Sequence, residues 1–164
     1  MNMVIIDTDI LSMFAKADAI DLLIELFKDK IVITPKIRDE ISVPLEYGYD
    51  FPLRVLSRIR TMPLNKSAVG EYEKLQEELS LGKGELEAIA YCKTEKCMFV
   101  TNDLKARTFA KSKGIFVISL QSILKALWKK RILTKKEVRK LFNKIIQVDN
   151  LSVEKNIMNT IFEE

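Results

Sequence analysis

Two apolar runs in this chain end in acids. Met3-Val4-Ile5-Ile6 runs straight into Asp7-Thr8-Asp9, and Met98-Phe99-Val100-Thr101 runs into Asn102-Asp103. A short apolar run that turns polar and is followed by a helical pattern reads as a buried strand whose carboxyl end carries a site. In open α/β sheets that edge is where ligands bind. An aspartate there must be hydrogen-bonded, paired or metal-bound, because an isolated buried carboxylate is costly. Asp9 has a second reading, as the N-cap of the helix that follows.

The residue types narrow the chemistry further. There is no histidine in the 164 residues, which excludes Ser-His-Asp and Cys-His catalysis, His-x-x-x-His zinc sites and cleavage of RNA by paired imidazoles. What remains are carboxylates, hydroxyls, lysines or a hard metal ion, and carboxylate oxygens suit Mg²⁺ or Mn²⁺ rather than zinc or copper. Two further acids join the set. Glu40 lies three residues after Ile37, at the border of an apolar helix stripe, and Glu85 follows Gly82-Lys83-Gly84 in the first turn of a helix, beside orphan backbone donors. If Asp7, Glu40, Glu85 and Asp103 converge, they repel one another strongly at low dielectric, so convergence requires protonation or a divalent cation. The glycines around Lys83 lack the spacing of a P-loop or of a dinucleotide-binding turn.

The elements that position these acids alternate between strand and helix. Ile10 to Lys16 is helical, and Asp18 is the expected cap of a second helix reaching Phe27. Ile31-Val32-Ile33 reads as a strand and Thr34-Pro35 as a helix start with a capping hydroxyl, with Pro44 ending that helix. A short helix opens at Pro52, and Thr61 to Asn65 is a possible edge strand. Ser67 to Leu79 follows as a helix with Val69, Tyr72, Leu75 and Leu79 on one face, and Glu85 to about Cys92 as another. Gly114 closes the helix after Asp103, and Ile115 to Ile118 is a fourth strand. Ser119 caps a helix through Trp128, Thr134 to Glu137 is a capping box, and Ser152 to Phe162 is a last helix. The expected fold class is three-layer α/β/α, with a mainly parallel central sheet of four or five strands and helices at the C-terminus.

These segments together resemble the PIN domain: Val4-Ile-Ile-Asp7-Thr-Asp-Ile-Leu, Thr34-Pro-x-x-x-x-Glu40-Ile, Gly84-Glu85-x-Glu-Ala-Ile-Ala and Val100-Thr101-Asn102-Asp103-x-x-x-Arg107. The match spans Met1 to Ser119, and the basic helices beyond it resemble the C-terminal part of a prokaryotic branch of the family. The resemblance implies a single domain over residues 1–164, with an α/β core at 1–119 and a helical extension at 120–164. It implies a Mg²⁺- or Mn²⁺-dependent endoribonuclease whose metal-binding and catalytic set falls on Asp7, Glu40, Glu85 and Asp103. Thr101 and Asn102 are then polar neighbours, and Asp9 supports from a position where the family often has serine or asparagine. Glu87, expected on another helix face, is left out. The resemblance further implies RNA as substrate, a cognate antitoxin protein as partner and a homodimer, with Phe51, Trp128 and Phe142 as either ordinary core residues or contributors to an interface or antitoxin groove. Two other readings stand beside it: a PIN-like scaffold that binds RNA or protein without cutting, and a haloacid-dehalogenase-type phosphatase built on Asp7-Thr8-Asp9.

Composition is consistent with a single core and no membrane span, so the expected location is cytoplasmic. Cys92 and Cys97 have no partners for a zinc site and read as core residues. The net charge of +4 is uneven. Between Lys125 and Lys144 nine basic residues face one acid, Glu137, so the rest of the chain is at −4. That segment is a solvated helix pair or a phosphate-attracting surface, and Lys129, Lys130 and Arg131 are its expected RNA contacts.

Overall fold

The computed structural model describes residues 3–78, 80–154 and 156–164. Its centre is an all-parallel sheet of five strands, β1 (Val4–Ile6), β2 (Ile31–Ile33), β3 (Arg60–Thr61), β4 (Met98–Val100) and β5 (Val117–Ile118), in the order β3-β2-β1-β4-β5. All three residues of β1 are buried, as expected of the middle strand of a parallel sheet covered on both faces. Ile5 pairs with Val32 on one side and with Phe99 on the other, so the ends of β1, β2 and β4 align along one edge.

The helices are α1 (Thr8–Lys16), α2 (Ile20–Phe27), α3 (Pro35–Ser42), α4 (Pro52–Leu56), α5 (Lys66–Leu75), α6 (Lys83–Glu95), α7 (Leu104–Ser112), α8 (Leu120–Lys129), α9 (Lys135–Asp149) and α10 (Ile157–Phe162). Helix α6 packs with α3 and α5, and α8 packs with α2, α9 and α10. The result is the three-layer α/β/α arrangement. Buried Ile10, Phe14, Ile37, Ile89, Leu124, Phe142 and Ile145 fill the space between the sheet and its helices.

Several local expectations change. The N-cap of α1 is Asp7, whose carboxylate accepts from Thr8 N, and Asp9 lies inside the first turn. The strand ends at Ile6 as expected, and the helix starts at Thr8, two residues earlier than the capping pattern suggests. Ala19, not Asp18, precedes α2, and no side chain caps it, while Asp18 takes a left-handed φ of 55° in the bend between α1 and α2. The edge strand sits at Arg60–Thr61, just before the stretch around Pro63, which has no N–H to give to a ladder. Helix α5 starts at Lys66 and ends at Leu75; Val69 is 40% exposed, off the buried face made by Ala68, Tyr72 and Leu75. Leu79 lies outside the described residues. Strand β5 keeps only Val117–Ile118, with Phe116 turned outward, and the last helix begins at Ile157 rather than Ser152.

Two of the three aromatic residues open to a core or an interface reading take the core one. Phe142 and Phe51 are core residues, and Trp128 is half-buried with its indole N–H donating to Ile161 O at 2.8 Å. Trp128 and Phe142 pack where α8 meets α10 and α9, and Phe51 packs just before α4 beside Lys16 of α1, which the aromatic spacing alone does not reveal. Cys92 and Cys97 are buried free thiols.

Candidate functional site

The carboxyl edge of the sheet gathers the acids. Asp7, directly after β1, is buried, and both its oxygens are held: Oδ1 accepts from Thr8 N and Oδ2 from the Thr101 hydroxyl, each at 2.8 Å. Its own backbone N–H donates to Val100 O at 2.9 Å, which ties the end of β1 to the end of β4. Thr101 is fully buried and also accepts from Asp103 N at 3.2 Å. One hydroxyl therefore links the aspartates of two strands. Asp103 caps α7, its Oδ1 accepting from Ala106 N at 2.8 Å, with Asn102 half-buried beside it.

The two glutamates arrive from helices. Glu40, on the last turn of α3, accepts a 2.8 Å hydrogen bond from the Thr8 hydroxyl at the start of α1. Its carboxyl packs against the backbone of Gly84, where a Cβ would stand 2.7 Å from Glu40 Cδ. Glycine is needed there for the close approach, not for a turn. Glu85, next along α6, turns Oε1 back to the Gly82 N–H at 3.2 Å, while its buried Oε2 has no partner among the described residues.

Electrostatics show that these groups sense one another. Burial raises the Asp7 carboxyl to about 7, with the charges of Glu85 and Asp9 adding to it and the hydrogen bonds from Thr101 and Thr8 opposing it. Withdrawal from solvent also raises Glu85, followed by the charges of Asp103, Asp9 and Glu40, against the Gly82 hydrogen bond. Asp9 is raised by partial desolvation and by Asp149 and Asp103, against Lys16, which is itself paired with Asp149 at 2.9 Å. Asp7, Asp9, Glu40, Glu85 and Asp103 thus share one field. Among the described residues, no three acids stand close enough to ligate one ion directly.

Other expected residues lie elsewhere. Lys130 lines an apolar hollow with Val4 and Met98, the first residues of β1 and β4. It is therefore at the amino edge, opposite the acids. Lys129 and Arg131 flank it at the end of α8, with the Lys129 ammonium 5.8 Å from the Trp128 ring centre. Three residues of the site did not stand out in the sequence: Thr8, Gly84 and Glu87. Glu87 is 2% exposed and accepts from the Lys36 backbone N–H at 2.8 Å, with Lys36 Nζ 3.9 Å away. It caps α3 from another helix, a task expected of Thr34, whose buried hydroxyl has no partner among the described residues. The signal available was the Glu-x-Glu pattern itself, with its second acid amid Leu86, Ala88 and Ile89.

A parallel sheet with hydrogen-bonded aspartates at its carboxyl edge and glutamates brought in by helices defines an acid-lined α/β domain. A PIN-domain family model matches residues 3–164, and the chain belongs to the PIN-domain family. The fold is thus of nuclease type, in a family that generally hydrolyses nucleic acid and typically uses divalent metal ions. The match runs through α8, α9 and α10, beyond the segment ending at Ser119 that carries the motif resemblance. No curated protein matches the chain. Membership of this family removes the ground for the phosphatase reading. Among the described residues, no helix is long and apolar enough to cross a membrane.

Proposed function

We propose that the chain is a Mg²⁺- or Mn²⁺-dependent endoribonuclease, with Asp7, Glu40, Glu85 and Asp103 as its metal-binding and catalytic carboxylates. The observation that carries this reading is the uncompensated negative charge at the carboxyl edge. Asp7 is buried and raised to about 7, Glu85 has an orphan oxygen, and no cation of the protein is paired with either among the described residues. Clusters of this kind are costly unless a counter-ion completes them. The donor set is all oxygen, which suits a hard cation, and Mg²⁺ keeps several waters and takes only one or two carboxylates.

When bound, the ion supplies a water of lowered pKa and neutralises charge on the phosphate. The chain does the placing. Thr101 and the Thr8 N–H hold both oxygens of Asp7, and the Thr8 hydroxyl and Gly84 hold Glu40. Asp9 and Asn102 lie beside the set and Asp9 adds to its field. In-line attack by water rather than by the substrate's own 2′-hydroxyl would break the bond to the 3′-oxygen and leave a 5′-phosphate and a 3′-hydroxyl. The same reading makes the chain the toxin of a toxin–antitoxin pair, a homodimer with an antitoxin as protein partner. That role requires an antitoxin gene beside its own.

The test is cleavage of single-stranded RNA by purified protein with Mn²⁺, with Mg²⁺ and with a chelator, the product ends being mapped. Metal-dependent cuts carrying 5′-phosphates are expected. RNA binding without cleavage under all three conditions would favour the non-catalytic scaffold instead.

A further inference from the structure

Arg107 belongs to the segment that follows Asp103, and neither the metal-binding set nor its supports use it. It lies one turn further along α7, its N–H bonded to Asp103 O at 3.0 Å, so its Cα is only ~6 Å along the helix from that acid. Its Nε is buried and has no partner among the described residues, and the same holds for Oε1 of Gln121 on α8. Both side chains line one hollow of about 470 Å³, together with Ser119, Ser122 and Lys125, and with Glu154 on the opposite wall. The hollow is at the carboxyl edge too, because Ser119 follows β5, and β5 ends against β4 where Thr101 N donates to Ile118 O at 3.1 Å. Along that edge the sheet presents the aspartates after β1 and β4, with Glu40 and Glu85 brought in by α3 and α6, then this cation-bearing hollow at β5.

Buried polar atoms without partners are rare and each costs free energy. Here a donor on a cation and a neutral acceptor stay unpaired among the described residues, buried behind the wall of one cavity on two side chains that line it. A ligand for that wall carries negative charge for Arg107 and Lys125 and a hydrogen-bond donor for the Gln121 amide, and a cavity of this size falls within the usual range for small organic ligands. A nucleotide unit has both: phosphate oxygens, and the hydroxyl of ribose or an amino group of a base. Inorganic phosphate is too small to span the hollow.

We propose that the hollow between α7, α8 and α10 is a nucleotide subsite next to the acidic edge. It takes one unit of a single-stranded RNA, with the backbone phosphate on Arg107 and Lys125 and a sugar or base donor on Gln121. The proposal rests on the nuclease reading for the identity of the chain that enters. It gives the substrate a cationic foothold beside an edge that otherwise repels it. Glu154 opposes the phosphate and limits how tightly the subsite holds.

The test measures binding apart from cutting. Fluorescence anisotropy of a labelled single-stranded RNA hexamer, with the full chain in chelator, gives Kd and its salt dependence. Arg107→Gln is expected to weaken binding about tenfold, as for loss of a charged hydrogen bond, and Lys125→Gln about threefold, each lowering the slope of log affinity against log salt by roughly 0.7. Glu154→Gln is expected to tighten binding about twofold. Lys28→Gln, an exposed charge between α2 and β2, serves as the control and should leave binding unchanged. Lys125 and Glu154 change only side chains on the cavity wall, so they carry the test if Arg107→Gln does not fold. Unchanged binding in Lys125→Gln and Glu154→Gln, equal losses in Lys28→Gln, or no binding by the unaltered chain would overturn the subsite. Cleavage with Mn²⁺ is scored separately: cutting with unaltered binding in these variants defeats the subsite alone, and the predicted binding pattern without cutting defeats the nuclease reading alone.

Discussion

The two edges of the same sheet are built on opposite terms. At the amino edge, Val4, Leu26, Phe27 and Met98 meet Ile123 and Ala126 in an apolar hollow rimmed by Lys30 and Lys130. Lys130 there is exposed, and none of the buried polar residues described, Asp7, Thr34, Glu87 and Thr101, lines that hollow. At the carboxyl edge Asp7 is buried, Glu85 has an unpartnered oxygen, and a glycine is spared a side chain so that Glu40 can pack in. Stability is conceded at one edge only, which is the usual mark of a working site. The difference is therefore best probed by changes that act on one edge and leave the other alone.

The largest effect should come from Asp7→Asn. Cleavage should fall on the order of 10⁴-fold, as when one member of a catalytic set is removed, in an assay with Mn²⁺ in excess. Stability should move the other way. Because the folded chain raises Asp7 from 3.8 to about 7, it binds that proton more tightly than the unfolded chain does. The metal-free protein therefore loses stability as pH rises from about 4 to about 7, by up to about 4 kcal/mol from this group. Asp7→Asn should flatten that decline in urea melts at pH 5 and pH 8, with the variant the more stable at pH 8. An equal decline in both proteins would show that Asp7 is not the strained group.

Gly84→Ala removes no acid and still should cost about a hundredfold in cleavage, since a displacement of ~1 Å at Glu40 is enough. Alanine is the better helix former by about 1 kcal/mol, so the melt should show at most a small loss. Unaltered cleavage would mean that Glu40 is not needed where it packs. Glu87→Ala tests whether the support differs from the site. Leaving the Lys36 N–H and Nζ without their acceptor should cost roughly 3 kcal/mol, read in the same melts, whereas Glu87→Gln should recover most of it. The smallest effect is expected from neutralising Lys129, Lys130 and Arg131 together. They sit toward the far end of α8, ~15 Å from its start, with Lys129 one turn beyond Lys125, so they act on RNA in the hollow through screened charge rather than by contact. RNA affinity should change by less than about threefold, and a larger loss would bring the amino edge into the RNA path.

The sequence exposed much of the carboxyl edge because strands and their ends have a strong local signature. Three-residue apolar runs followed by Asp7 and by Thr101-Asn102-Asp103 announce both position and polarity, and the alternation with helices fixes a parallel sheet. The residues it hid are those whose role is a contact between distant segments. Glu87 reaches α3 across 51 positions, and Gly84 looks like turn punctuation until Glu40 is seen against it. Capping was misread wherever another group won. At α1 the strand's own Asp7 took the cap from Asp9, and at α3 Glu87 took it from Thr34. For Phe51 and Phe142 the sequence leaves core and interface both open, because the direction of an aromatic side chain depends on which elements close over it; the structure buries both.

The central claim is that the carboxyl edge is left incomplete for a divalent cation, and thermal melting of the unaltered chain and of Asp7→Asn at pH 7.5, with and without Mn²⁺, tests it most directly. A ligand that binds only the folded state at a hundredfold excess over its Kd adds about 2.7 kcal/mol. The account predicts a clear upward shift in Tm for the unaltered chain that Mn²⁺ fails to produce in Asp7→Asn. No shift in the unaltered chain, or the same shift in both, would contradict it.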